Sequence, residues 1–307
     1  MRAFLLVSLL LVGCASDAEQ KPLFAGELVT LPAFAETYVP SRTVRVWTPP
    51  KYPREAPYDV LYMHDGQMLF DATSTWNGQE WGVDETATAL ITTGKTRPFI
   101  VVAIDNGDAR RHTEYFPEKP WQSLPADKRA EFLQLQRDPT TRLFVDGVDS
   151  DDYLRFIVEQ LKPYVDDNFT VALTPEHTFI AGSSMGGLIS IYALAEYPDV
   201  FGGAACLSTH WLGTFSPTDN PIPQSFADYL RDNLPTPGPH KIYFDHGDQD
   251  LDSYYPPHQK TVDAVMTELG FTANNWQTRA FPGENHSENA WQRRLRIPLI
   301  FLMGINE

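Results

Sequence analysis

The residues best suited to chemistry in this chain are Gly182-Ser183-Ser184-Met185-Gly186, a G-x-S-x-G arrangement with Ser184 at its centre. A serine hydroxyl is a poor nucleophile until a base takes its proton and a third group orients that base. The flanks fit this use. His177 to Ala181 is a short apolar run with a β-branched start, which suits a buried strand. Leu188, Ile189, Ile191, Tyr192, Leu194 and Ala195 follow with helical spacing that stops before Pro198. A strand that turns at once into a helix brings its backbone close to itself, and Gly182 and Gly186 permit that approach. Ser184 is then expected at the apex, in a strained backbone conformation with its hydroxyl raised from the sheet edge. The Met185 N–H at the helix start would face an oxyanion forming on a group attached to Ser184. Ser183 is out of frame.

The base is sought among eight histidines. His286 lies in Gly283-Glu284-Asn285-His286-Ser287, after the last expected strand, where the base belongs in the chain order serine, acid, histidine. His64, His246 and His258 compete, since they too lie near strand ends or the helices that follow. The acid is expected after the strand Lys241 to Phe244, in Asp245-His246-Gly247-Asp248-Gln249-Asp250-Leu251-Asp252. Asp250, three residues after Gly247, has the favoured spacing, and Asp252 stays open. Asp248, Asp250 and Asp252 alternate like the first ligands of a calcium loop. Ser253 stands where such a loop needs glycine and Gln259 where it needs a bidentate glutamate, so no metal is expected. The second oxyanion donor should come from Asp65-Gly66-Gln67: Gly66 lets the backbone approach, which also makes it a substrate-contact candidate, and the Gln67 N–H donates. Arg110, Arg111 and His112 follow a central strand and could bind an anionic group there; the plainer alternative is pairing with Glu114 and solvent. Trp76, Trp81, Trp121 and Trp211 are candidates for an aryl pocket, at least half of them as ordinary core.

These groups need a scaffold. Gly26 to Phe34 and Arg42 to Trp47 alternate in character and read as an antiparallel edge. Tyr58 to Met63, Phe99 to Ile104, Phe201 to Leu207, Lys241 to Phe244 and Asn275 to Ala280 read as further strands. Apolar runs without alternation among them indicate a parallel sheet covered on both faces. Helices are expected over the second half of Trp76 to Leu90, and over Asp152 to Val165, Gln224 to Asn233 and Pro257 to Leu269. Asp108 to Asp149 reads as an insertion over the active-site side, with one short helix near Asp127 to Gln136.

The chain's 307 residues suit one domain, 26–307, behind a 1–13 export signal and a 14–25 tether. Arg2 and the apolar run Ala3 to Val12 lead into Leu11-Val12-Gly13-Cys14, which resembles a bacterial lipobox with lipidation on Cys14. Ala15-Ser16 after it resembles an outer-membrane address facing the periplasm or cell surface. The other cysteine, Cys206, lies in an apolar run and reads as a buried strand residue. A net charge of −16 argues against nucleic acid and against anionic lipid as partners, so membrane attachment would rest on the lipid.

Four motifs together resemble one family. They are Leu61-Tyr62-Met63-His64-Asp65-Gly66-Gln67-Met68-Leu69-Phe70, Asp105-Asn106 with Arg111-His112-Thr113-Glu114-Tyr115, Gly182-Ser183-Ser184-Met185-Gly186-Gly187, and Gly283-Glu284-Asn285-His286 with Trp291. In this order, over roughly Val44 to Gly304, they resemble the putative-esterase (esterase D and enterochelin esterase-like) family of α/β-hydrolases. The resemblance implies an α/β-hydrolase fold, Ser184 as nucleophile, His286 as base and a loop acid near Asp250. It implies siderophore trilactones, acyl esters of plant polysaccharide or small thioesters as substrates. The expected protein is a serine carboxylic ester hydrolase needing no cofactor. An acyltransferase on the same machinery and a non-catalytic binding lipoprotein are the alternatives.

Overall fold

The computed structural model describes residues 23–34 and 37–305, so the signal, Cys14 and most of the tether lie outside the described residues. Eight strands form one sheet in the order β1-β2-β4-β3-β5-β6-β7-β8. They are β1 Glu27–Phe34, β2 Arg42–Thr48, β3 Asp59–His64, β4 Phe99–Ile104, β5 Thr178–Ser183, β6 Gly203–Leu207, β7 Lys241–His246 and β8 Trp276–Ala280. β1, β2 and β4 pair antiparallel, and every pair from β4 through β3 to β8 is parallel. The antiparallel edge and the parallel centre expected from sequence are both observed.

The central strands are apolar because both faces are covered. Ile100, Val102 and Ile104 of β4 join one core, while Phe99, Val101 and Ala103 join the other. The first core also holds Leu188 and Ile191 of α7 (Met185–Glu196) and Val262 and Met266 of α9 (Tyr255–Glu268). The second holds Ala87 and Leu90 of α1 (Val83–Thr92), Trp291 of α10 (Glu288–Arg294) and Leu299 of α11 (Arg296–Met303). Each large apolar side chain buried this way contributes about 1.5–3 kcal/mol to holding the strands that carry the site loops. Cys206 is fully buried on β6, as expected.

Two segments are more helical than their prolines suggest. The 108–149 insertion contains α2 Arg111–Tyr115, α3 Glu118–Ser123 and α4 Ala126–Phe132, with Pro120 buried inside α3. From Ser150 to Asn168 the chain stays helical: α5 Ser150–Arg155, a π-helical stretch Phe156–Leu161, then α6 Lys162–Asn168. Pro163 has no N–H to donate, and the wide turns just upstream carry the helix past it. α8 Ile222–Asn233 completes the set. Among the described residues no helix is long and apolar enough to cross a membrane.

Candidate active site

The parallel register brings the loops after β3, β5, β6 and β7 to one sheet edge. Met63 of β3 lies opposite Ala181 of β5, and Ser183 of β5 opposite Leu207 of β6. Ser184 sits between β5 and α7 with φ 57 and ψ −121, a conformation a β-carbon-bearing residue adopts only under constraint. Its N–H donates to Leu207 O (2.9 Å), and its own carbonyl accepts from Leu188 N and His210 N (both 3.2 Å). A Cβ on Gly182 would stand 2.8 Å from the Gly186 carbonyl carbon, so the glycine at 182 is a steric requirement of this turn. Met185 is the first residue of α7, and its N–H has no intrahelical carbonyl to meet.

His286 donates from Nδ1 to Asp252 Oδ1 at 2.6 Å. That bond leaves the other ring nitrogen for the cleft. Asp252 is fully buried. Its Oδ2 accepts from Gly247 N and from Ser208 Oγ, each at 2.6 Å. Burial alone would raise this carboxyl, but the donors from His286, Ser208 and Gly247 outweigh it and hold it below the usual carboxylate range. The structure therefore brings Asp252, and not Asp250, to the imidazole. Asp250 is exposed and opens the 3₁₀ turn Asp250–Tyr254. β7 continues to His246, two residues beyond the expected end at Phe244. Counting from the glycine places Asp250 first, but the tight turn aims residues two apart in different directions, and only Asp252 points inward. Asp248 is used elsewhere, accepting from Gly283 N at 2.8 Å.

An open cleft of about 720 Å³ joins these parts; Ser184, His286, Gln67, Arg111, Trp76, Trp81 and Trp291 are among the residues lining it. No direct hydrogen bond joins Ser184 Oγ to His286 among the described residues. Both instead flank the buried Tyr255, whose ring lies 5.8 Å edge-on to His286 and whose hydroxyl neighbours that of Ser184. Gln67 belongs to the short 3₁₀ turn Gly66–Met68, in which the Met68 N–H meets Asp65 O (2.9 Å). The Gln67 N–H precedes that first internal bond, and its side-chain carbonyl accepts from Asn106 N (3.2 Å). Gly66 has a different role from the substrate contact expected. It does not line this cleft, and a Cβ there would stand 2.7 Å from Ile104 N, so its absence lets the loop lie against β4.

Arg111 is in the cleft wall, but its charge is engaged: Nε and a terminal nitrogen grip both oxygens of Asp65 (2.6 and 2.8 Å). Asp65 also accepts from Asn106 Nδ2 (2.7 Å), and these partners hold its carboxyl low despite burial. Arg110 turns away to Asp149, Asp146 and Glu114, and Glu114 is clasped by Arg42 (2.8 and 2.9 Å). Of the four tryptophans, Trp76 and Trp81 line the cleft, while Trp121 packs on Phe144 and Trp211 bonds Gln259 in the core. The rival histidines are accounted for. His64 is buried against Tyr153 (2.8 Å), and burial pushes its imidazole down to about 3. His246 faces Gly247 O (2.6 Å), and His258 lies on α9 outside the cleft. Sequence reasoning missed Ser208, Tyr255 and His210; the one local signal was that Ser208-Thr209-His210 leaves β6 beside the nucleophile strand.

Comparisons with known proteins bear on the family and the fold. A model of the family described as Putative esterase matches residues 39–301. Uncharacterized protein YbbA of Bacillus subtilis (strain 168) is 24% identical over 161 residues, half of this chain; the match spans 60% of that relative's length. A ferulic acid esterase superposes with TM-score 0.63 at 18% identity, covering 91% of this chain and 99% of its own. A ferulic acid esterase from Anaeromyces mucronatus, in complex with ferulic acid, gives 0.62 at 16% identity, with 93% of each chain covered. Enterobactin esterase from Shigella flexneri gives 0.57 at 19% identity, over 92% of this chain and 60% of that one. These structural likenesses show the α/β-hydrolase fold.

Proposed function

We propose that this chain, which belongs to the Putative esterase family, is a carboxylic ester hydrolase that works by a Ser-His-Asp acyl-enzyme mechanism. Ser184 Oγ attacks the ester carbonyl while His286 takes its proton. Asp252 fixes the imidazole tautomer and stabilises the imidazolium that forms. The Gln67 and Met185 N–H groups receive the oxyanion, a role typically worth about 3–4 kcal/mol per donor. His286 returns its proton to the leaving alcohol, and water then releases the acid by the same steps in reverse. Catalytic hydrogen bonds are often loose before substrate binds, so Ser184 and His286 need to meet only in the complex.

The observation that carries this reading is the 2.6 Å His286–Asp252 bond on the same cleft as a serine with φ 57. The test is a fluorophosphonate probe on the folded protein. Labelling of Ser184, lost in Ser184→Ala and in protein already exposed to probe, is the expected result; no labelling overturns the reading.

For the substrate, we propose an ester that carries a flat ring, such as a feruloyl sugar ester or a catecholate trilactone. Trp76 is 86% exposed on the cleft, and Trp81 and Trp291 stack at 5.4 Å in its wall. An exposed indole beside a nucleophile offers a ring face at little entropic cost. Hydrolysis of methyl ferulate or enterobactin well above that of ethyl acetate supports this; the reverse order overturns it. We also propose that Cys14 carries a lipid that holds the exported enzyme at the outer membrane. Loss of labelled-lipid incorporation in Cys14→Ser tests that point.

A further inference from the structure

Ser208 stands one residue past β6, fully buried, with φ 42. Its N–H donates to the Asp245 carbonyl (2.9 Å) and to Asp245 Oδ1 (3.1 Å), which fixes the backbone in this unusual conformation. Its hydroxyl has three neighbours: Arg294 (2.7 Å), Trp291 Nε1 (3.0 Å) and Asp252 Oδ2 (2.6 Å).

The direction of every proton in this group follows from the side-chain inventory. Guanidinium and indole can only donate, an ionised carboxylate can only accept, and a hydroxyl has one proton and two lone pairs. Arg294 and Trp291 fill both lone pairs of Ser208. Its single proton must therefore go to Asp252. With the donors from His286 and Gly247 it brings three hydrogen bonds to the Asp252 carboxylate, so the arrangement favours the anionic form. Arg294 is itself anchored, with Nε and a terminal nitrogen on Asp245 (3.1 and 2.8 Å) and its guanidinium 4.9 Å over the Phe281 ring. Trp291 and Arg294 are three apart on α10 and share a face, and the loop carrying His286 leads directly into that helix.

We infer that Ser208 is a positioning residue for the proposed reaction, its hydroxyl locked by Arg294 and Trp291 so that it holds Asp252 with Oδ1 toward His286. The inference rests on the assignment of Asp252 as the triad acid. It ties together three segments distant in sequence: the β6 exit, the acid loop after β7, and the helix that follows the catalytic histidine. The titratable groups around Asp252 are His286, Tyr255 at the start of α9, Asp248 and His246 in or beside its own loop, and the Asp245–Arg294 pair behind Ser208.

Ser208→Ala is compared with wild type and with Asp252→Asn, using p-nitrophenyl acetate across pH. Removing a hydrogen bond to a charged group should lower kcat about 10- to 100-fold with KM nearly unchanged. One of the donors holding the Asp252 carboxyl down is then gone, so the acid limb of kcat/KM should move to higher pH. A purely structural hydroxyl would leave that limb in place. If Asp252→Asn is inactive while Ser208→Ala keeps both rate and limb, the triad stands and the inference falls. If Asp252→Asn is fully active, both fall. Should Ser208→Ala fail to fold, Trp291→Phe decides: it frees one lone pair of Ser208 and keeps the ring. A smaller loss of about 3- to 10-fold with the limb displaced the same way supports the inference; an unmoved limb overturns it.

Discussion

Two histidines flank Tyr255, whose hydroxyl neighbours that of Ser184, and they differ in what their Nδ1 meets. His286 donates to the Asp252 carboxylate at 2.6 Å, and its side chain keeps 16% exposure to the cleft. His210 meets the neutral Tyr255 hydroxyl at 2.8 Å, and it is only 2% exposed. Burial pushes the His210 imidazole well below its ordinary value, and the neighbouring His112 and His286 push the same way. An imidazole works as a base only if its protonated form is tolerated, which requires a countercharge and some solvent. Proximity to a serine is therefore insufficient; the carboxylate behind the ring makes the difference.

The comparison can be broken by mutation. The largest effect is expected from Ser184→Ala and from His286→Ala, each lowering kcat at least about 10⁴-fold with the circular dichroism spectrum unchanged. His210→Gln should lower kcat less than about 10-fold; a loss equal to that of His286→Ala would make the two arms equivalent and end the distinction. Asp252→Asn should cost about 10³- to 10⁴-fold by favouring the wrong tautomer, whereas Asp250→Asn, altering an exposed group, should stay within about twofold.

Acid should separate the arms by stability. His64 and His112 are pushed by burial to about 3, and His210 is lowered by burial too. Between about 6.5 and those folded values the unfolded chain binds more protons, so stability is full above pH ~6.5 and falls as pH drops towards 3. Asp252, with its carboxyl held low, adds stability above the ordinary carboxylate range that is lost as pH falls through its folded value. The melting temperature should drop at least about 5 °C from pH 7 to 4.5, and by less in His112→Phe than in wild type. A modest effect confined to one substrate class is expected from Trp76→Ala, which should raise KM for methyl ferulate about 3- to 10-fold and leave ethyl acetate unchanged.

Much of the fold was legible because the central strands announce themselves. Phe99 to Ile104 is apolar at every position since each face meets a core. The Gly182–Gly186 elbow was legible for a steric reason: no other residue at 182 fits the approach of the Gly186 backbone. The 108–149 insertion read as largely irregular, yet short helices absorb its prolines, and the helix expected over Asp152 to Val165 runs past Pro163 through a π-helical stretch. Gly66 read as a substrate approach, and its bare Cα also lets the loop pack against β4, which its sequence does not announce.

Local sequence thus determined the strands, the elbow serine and the region that supplies the histidine, because each depends on neighbours within a few residues. Tertiary structure decided which aspartate reaches His286, since that depends on where a 3₁₀ turn points after β7 ends. It also recruited Ser208 to Asp252 and Arg294, 44 and 86 residues away. A buried hydroxyl takes its role from whichever charges the fold delivers to it, and no spacing in the chain encodes that meeting.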